Sequence, residues 1–175
     1  MTGCTDGIGK AYCLRMCRKI DKFVLIGRNR EKLAKLTAEM KEINSKVETI
    51  EILADFAGHV DYPALEKKLA SLDIGVFMNF VGVSYPLPQM IHKMDADYPN
   101  LSWDHINVNL VSATQLSRVI VPKMVERKSG LVVYVSSGLT IRLIFSNFIE
   151  KVLQLSQHHF KAHMQRERNF LINWQ

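Results

Sequence analysis

Short apolar runs and longer amphipathic stretches take turns along this chain, and that alternation constrains its fold more than any other feature. Residues 22–28 (KFVLIGR), 46–56, 74–82 (IGVFMNFVG) and 130–137 (GLVVYVSS) have the length and β-rich composition of strands. Between them, 6–19, 29–45, 61–72 and 102–128 carry helical signals. In 29–45, Leu33, Leu36, Met40 and Ile43 recur at helical spacing. Pro63 stands near the start of 61–72, where proline is tolerated. Pro122 predicts a kink in the longest helix. The segment PLPQ at 86–89 reads as a loop. Strands that are apolar on both faces and joined by helices belong to a parallel sheet covered on both sides. The right-handed crossover rule makes this a doubly wound α/β fold. Such sheets bind ligands beyond the carboxyl ends of their strands. That singles out Arg28, Asp55, Asn79 to Gly82, and Ser136 to Gly138.

Composition narrows the function classes. With 47% hydrophobic and 23% charged residues in 175, there is material for one globular core. The net charge of +6 is spread through the sequence and forms no basic stripe interleaved with aromatics, which argues against nucleic acid. It suits an anionic cofactor. The three cysteines, Cys4, Cys13 and Cys17, are an odd set without a secretory signal, so free thiols in a reducing compartment are expected. Cys13 and Cys17 fall on one helix face and read as two half-buried thiols. Neither that pair nor His159 and His163 has the further ligands a metal needs, so no metal site is expected. No apolar run reaches the ~18 residues of a membrane span, and the chain reads as soluble and intracellular.

The stretch TGCTDGIG at 2–9 sets Gly3, Gly7 and Gly9 at the opening of a helix. Glycine permits positive φ and close backbone approach. The first amides of the helix and its dipole then favour a diphosphate.

The spacing Gly-x3-Gly-x-Gly resembles the first loop of the short-chain dehydrogenase/reductase family, and other pieces agree in order. ADF at 54–56 is similar to the segment on the adenine side, with Asp55 accepting from the adenine amino group. NFVG at 79–82 resembles the family's Asn-Asn-x-Gly, with Phe80 replacing the second asparagine. NVNLVSATQLSRVIVPKM resembles its long central helix, and Asn109 falls at the catalytic asparagine position. GLVVYVSSG resembles the strand that carries the catalytic serine, here Ser137. LIGRNREKL, VGVSYPLPQ and MVERKSG look like the branch of steroid dehydrogenases and very-long-chain 3-oxoacyl-CoA reductases, including its hydroxysteroid-dehydrogenase-like, sometimes inactive, members. The resemblance implies a Rossmann-type domain over 1–140 and ketone–alcohol interconversion on a steroid or long acyl substrate. Gly3, Gly7, Ile8, Gly9, Arg28 and Asp55 would hold the coenzyme, with Asn79 and Gly82 lining its pocket. Arg28 follows the second strand of the pattern, where a guanidinium matches a 2′-phosphate and an acid would repel it, so NADP(H) is expected over NAD. The branch also implies a homodimer through the helix at 102–128. It implies a place at the endoplasmic reticulum or in mitochondria, through a membrane anchor that these residues do not include.

The pattern also breaks. The family's proton donor is a tyrosine about thirteen residues after the serine, followed four residues later by a lysine. Those positions hold Glu150 and Gln154, and no tyrosine occurs after Ser137. A carboxylate is unprotonated near neutral pH and cannot donate. The chain is therefore expected not to turn over, which leaves a non-catalytic nucleotide-binding or dimerising protein as the alternative. The strand ahead of the glycine loop and the later strands are expected to be missing, leaving two inner sheet edges open. Residues 141–175 do not resemble the family and carry helical spacing at Ile141, Ile144, Phe145, Phe148, Ile149, Val152 and Leu153.

Overall fold

The computed structural model describes residues 1–85, 90, 92–93, 96 and 98–136. Ser137, the PLPQ segment and residues 141–175 lie outside the described residues. The chain divides into two compact units, Met1–Val135 and Ser136–Gln175; the architecture below is that of the first.

The order of elements is α1 (Gly7–Met16), β1 (Lys22–Gly27), α2 (Arg30–Ile43), β2 (Glu48–Leu53), α3 (Tyr62–Ala70) and β3 (Val76–Asn79). Then come α4 (Leu101–His105), a π-helical segment (Ile106–Val111), α5 (Ser112–Glu126) and β4 (Leu131–Tyr134). Strands fall within one to three residues of the expected limits. Side-chain caps fix the starts of α1, α2 and α3. Asp6, Asn29 and Asp61 accept from the amides of Gly7, Lys32 and Ala64 at 2.8, 2.9 and 2.9 Å.

All strand pairs are parallel. β1 pairs with β2 and β3 with β4. Met1 and Thr2 join the pairs: the Ile26 amide donates to Met1 O at 2.9 Å, the Thr2 amide to Met78 O at 3.1 Å, and the Phe80 amide to Thr2 O at 3.3 Å. Two residues thus occupy the centre of the sheet, between β1 and β3. These bridges close the inner edges only near Ile26 and Asn79; no strand among the described residues lies between the rest of β1 and β3, as expected.

Helices cover both faces. On one, Leu33, Leu36 and Met40 of α2 pack with Cys13, Phe23 and Leu25. On the other, Leu65, Leu69, Leu116, Ile120 and Met124 pack with Ile26, Ile52 and Phe77. Each such side chain contributes about 1.5–3 kcal/mol on burial. An exposed pair such as Lys22–Glu48, at 3.9 Å, is worth at most about 1 kcal/mol, so the two cores hold the sheet. The helix across β3 and β4 is irregular at Ile106–Val111, where the Ser112 amide reaches back to Asn107 O; α5 itself runs through Pro122. Sequence pattern pointed to Pro122 as the weak place and missed the π-helical stretch.

Candidate functional site

The parallel registers align the strand exits at one end of the sheet. Gly27 lies opposite Leu53, Asn79 opposite Tyr134, and Thr2 between Ile26 and Asn79. The residues that follow, Gly3–Gly9, Arg28, Asp55 and Phe80–Gly82, gather there, as the fold class requires. Asn109 joins them through the loop after β3. Ser137, expected at the exit of β4, lies outside the described residues.

The glycine loop has the shape its sequence calls for. Gly3 has φ +57°, and a Cβ there would stand 2.5 Å from the Phe80 carbonyl carbon and the Val81 nitrogen. A Cβ on Gly9 would run into the Gly3 carbonyl, so α1 packs directly on the loop. Gly7 has φ +50°, and a Cβ there would meet nothing within 4 Å. The loop is closed where it meets the sheet and open at Gly7. The first-turn amides of Ile8 and Gly9 belong to those that a helix leaves without an intrahelical acceptor. The loop leaves room for an anion at Gly7, whose own amide donates to Asp6 Oδ1 at 2.8 Å.

Two groups shape the loop beyond the glycines. The buried Thr2 hydroxyl donates to Asn79 Oδ1 at 2.6 Å and accepts from the Val81 amide at 3.3 Å. Thr2 therefore ties Asn79, expected to line the pocket, to the sheet centre. Sequence reasoning passed over it, although it precedes the first glycine of the motif. Asp6 caps α1 with Oδ1 and faces Lys32 Nζ with Oδ2 at 3.6 Å. The Gly7 amide, and then the Lys32 charge, hold the Asp6 carboxyl below the usual carboxylate range.

Arg28 is exposed between β1 and α2 and makes no ion pair among the described residues. Asp55 is exposed after β2, and its Oδ1 accepts from the Ala57 amide at 3.2 Å. Asn109 stands in the π-helical segment. Its Oδ1 accepts from the Val83 amide at 2.9 Å and its Nδ2 donates to Val83 O at 3.0 Å. One turn earlier, His105 stacks on Tyr85 with centroids 4.4 Å apart, and its Nδ1 donates to Leu101 O at 2.7 Å. The helix therefore holds the strip Gly82–Tyr85 at two points.

The cysteines differ from expectation. Cys13 and Cys17, expected half-buried, are completely buried, as is Cys4 of the glycine loop, and all three pack in the core with Phe23 and Leu25. The hydrogen bond with Cys4, together with burial, pushes the Cys13 thiol up. Among the described residues no group of three or more His, Cys, Asp or Glu could hold a metal. No helix among them is long and apolar enough to cross a membrane.

A glycine loop at the exits of a parallel, doubly covered sheet defines a Rossmann-type dinucleotide-binding fold. The chain belongs to the short-chain dehydrogenase family, whose model matches residues 1–146. It is 39% identical over 170 residues to the human very-long-chain 3-oxoacyl-CoA reductase, covering 93% of this chain and 54% of that protein. That match runs beyond residue 140, into the segment the sequence pattern set apart. It is 41% identical over 139 residues to the human inactive hydroxysteroid dehydrogenase-like protein 1, covering 79% of this chain and 41% of that protein. Among solved structures, a short-chain dehydrogenase from Sphingobium yanoikuyae in complex with NADPH superposes with a TM-score of 0.69 at 26% identity, covering 90% of this chain and 62% of that one. The chain spans about half the length of the curated relatives it matches.

Proposed function

We propose that this chain is a coenzyme-binding short-chain dehydrogenase domain that holds NADP(H) and does not turn over. The observation that carries the reading is the glycine loop: closed on the sheet at Gly3 and Gly9, and open at Gly7 where a diphosphate would rest. The diphosphate lies on the amides of Gly7, Ile8 and Gly9. Asp55 accepts from the adenine side, Arg28 meets the 2′-phosphate as a free guanidinium, and Asn79 and Gly82 line the pocket. The bound coenzyme supplies a hydride in the family's ketone–alcohol chemistry. Of the family's catalytic positions this chain keeps Ser137, which by resemblance positions the substrate oxygen, and Asn109, which by resemblance belongs to the proton relay; the parent substrate is by the same resemblance a steroid or a long-chain 3-oxoacyl thioester. The proton donor is what fails: the position counted from Ser137 falls inside the chain, at Glu150, and Gln154 offers no positive charge beside it. By the same resemblance the protein works in lipid metabolism at the endoplasmic reticulum or in mitochondria.

Titration with NADPH followed by coenzyme fluorescence, together with a ketone-reduction assay, tests the reading. Saturable binding without turnover supports it. Ketone reduction that Ser137→Ala abolishes overturns the inactive part, and no binding overturns the coenzyme site.

A second reading, a dimerising protein, rests on a separate observation. Trp103, Ile106, Leu110 and Val125 of the α4–α5 helix are all exposed, at 65, 41, 62 and 68%. Such an apolar ridge on a helix favours a second copy of the chain.

A further inference from the structure

We infer that Asp6 is a built-in competitor for the coenzyme's diphosphate: its carboxylate holds the Gly7 amide and the Lys32 ammonium, and the phosphate must displace it. The inference rests on the coenzyme site proposed above and adds to it a residue that sets its affinity. A single carboxylate spans both partners, with Oδ1 on the Gly7 amide at 2.8 Å and Oδ2 facing Lys32 Nζ at 3.6 Å. The amide belongs to the residue over which the loop is open, so the contact sits where a ligand enters. A helix N-terminus attracts any anion, and here the chain supplies one of its own.

The surrounding charges make the exchange plausible on elementary grounds. The other cation near Asp6, Lys10, is committed to Glu39 of α2 at 2.8 Å. Lys32 is the third residue of α2, and its side chain is more than half exposed. An Asp6 that keeps its place beside a diphosphate sets like charges together. Rotated out to solvent, it releases one amide and one ammonium to the ligand. The loop therefore has two charge-balanced states, one closed by Asp6 and one closed by phosphate.

The test compares the unmodified chain with Asp6→Asn and Lys32→Gln, titrated with NADPH, with NADH and with inorganic pyrophosphate. Asparagine keeps an oxygen for the Gly7 amide and so preserves the helix cap while removing the charge. Asp6→Asn is expected to bind all three ligands about fivefold tighter at low salt, the size of one like-charge contact a few Å away in a water-like medium. The gain shrinks at high salt as the charges are screened. Lys32→Gln is expected to weaken all three. Equal or weaker binding by Asp6→Asn, measured well below the melting temperature of that variant, overturns the competition and leaves the coenzyme site standing, as does a gain that salt does not alter. If neither the unmodified chain nor Asp6→Asn binds any of the three, the coenzyme reading fails and the competition falls with it. Binding by Asp6→Asn alone supports the inference and makes Asp6 a full block.

Discussion

Asn109 returns both ends of its side-chain amide to the backbone of a single residue, Val83, accepting from its N–H and donating to its C=O. The pairing copies a rung of a β-ladder, with a side chain in place of the second strand. It fixes the strip after β3 to the helix that crosses it.

Asn109→Leu leaves a half-buried N–H and C=O of Val83 without partners. It is expected to destabilise the fold by about 1–3 kcal/mol, read from urea unfolding. Asn109→Asp keeps the acceptor and loses the donor, so its loss falls in between. If Asn109→Leu matches the unmodified chain, the clamp contributes nothing.

Thr2 makes a comparable pair of bonds, to Asn79 and Val81, from a completely buried position. Thr2→Val preserves shape and removes the hydroxyl. A loss of about 1–3 kcal/mol is expected, with Thr2→Ser recovering most of it. The thermal melts of the two variants separate a polar role from a packing one.

Gly3 and Gly7 share a left-handed φ but differ in surroundings. Gly3→Ala drives a Cβ into the backbone of Phe80 and Val81 and should cost about 3 kcal/mol or more. Gly7→Ala meets only the conformational penalty, about 1–2 kcal/mol. Equal losses in differential scanning calorimetry would show that the sheet does not press on Gly3.

Asp6 links stability to acid. Its folded pKa is depressed, so its contribution is fully present above the unfolded carboxylate value. It is lost as pH falls through the folded one. Asp6→Asn is expected to flatten that part of the acid limb of a pH–stability curve, and an unchanged limb counts against the Asp6–Gly7 contact.

Trp103→Glu sets a charge in the exposed apolar ridge. If a second copy covers that ridge, light scattering after gel filtration shows a dimer for the unmodified chain and a monomer for the variant. A variant of unchanged mass removes the ridge from the interface.

The sheet, its helices and the gathering of Gly3–Gly9, Arg28, Asp55 and Asn79–Gly82 were legible because periodicity is written by burial, and Leu33, Leu36 and Met40 are buried where their spacing placed them. Three features were not legible. The π-helical stretch has no residue signature comparable to Pro122, and the contacts that Asn109 and His105 make there are with the distant Val83 and Tyr85. The role of Thr2 depends on partners 77 and 79 positions away. The depth of Cys13 follows from which face of α1 meets the core, and the apolar pattern of that helix is weak. Arg28 and Asp55 were expected from the family pattern; both are exposed at strand exits, and Asp55 also accepts from the Ala57 amide.

The two residues at the middle of the sheet carry one more consequence. β1–β2 with α2 and β3–β4 with α5 are each zipped along full strands, whereas the seam between them is stitched by Met1 and Thr2. Native-state hydrogen exchange should therefore open that seam before either ribbon frays within itself. A dinucleotide lying across the strand exits would straddle it and slow its exchange, making the amides of Ile26 and Phe80 natural reporters of occupancy.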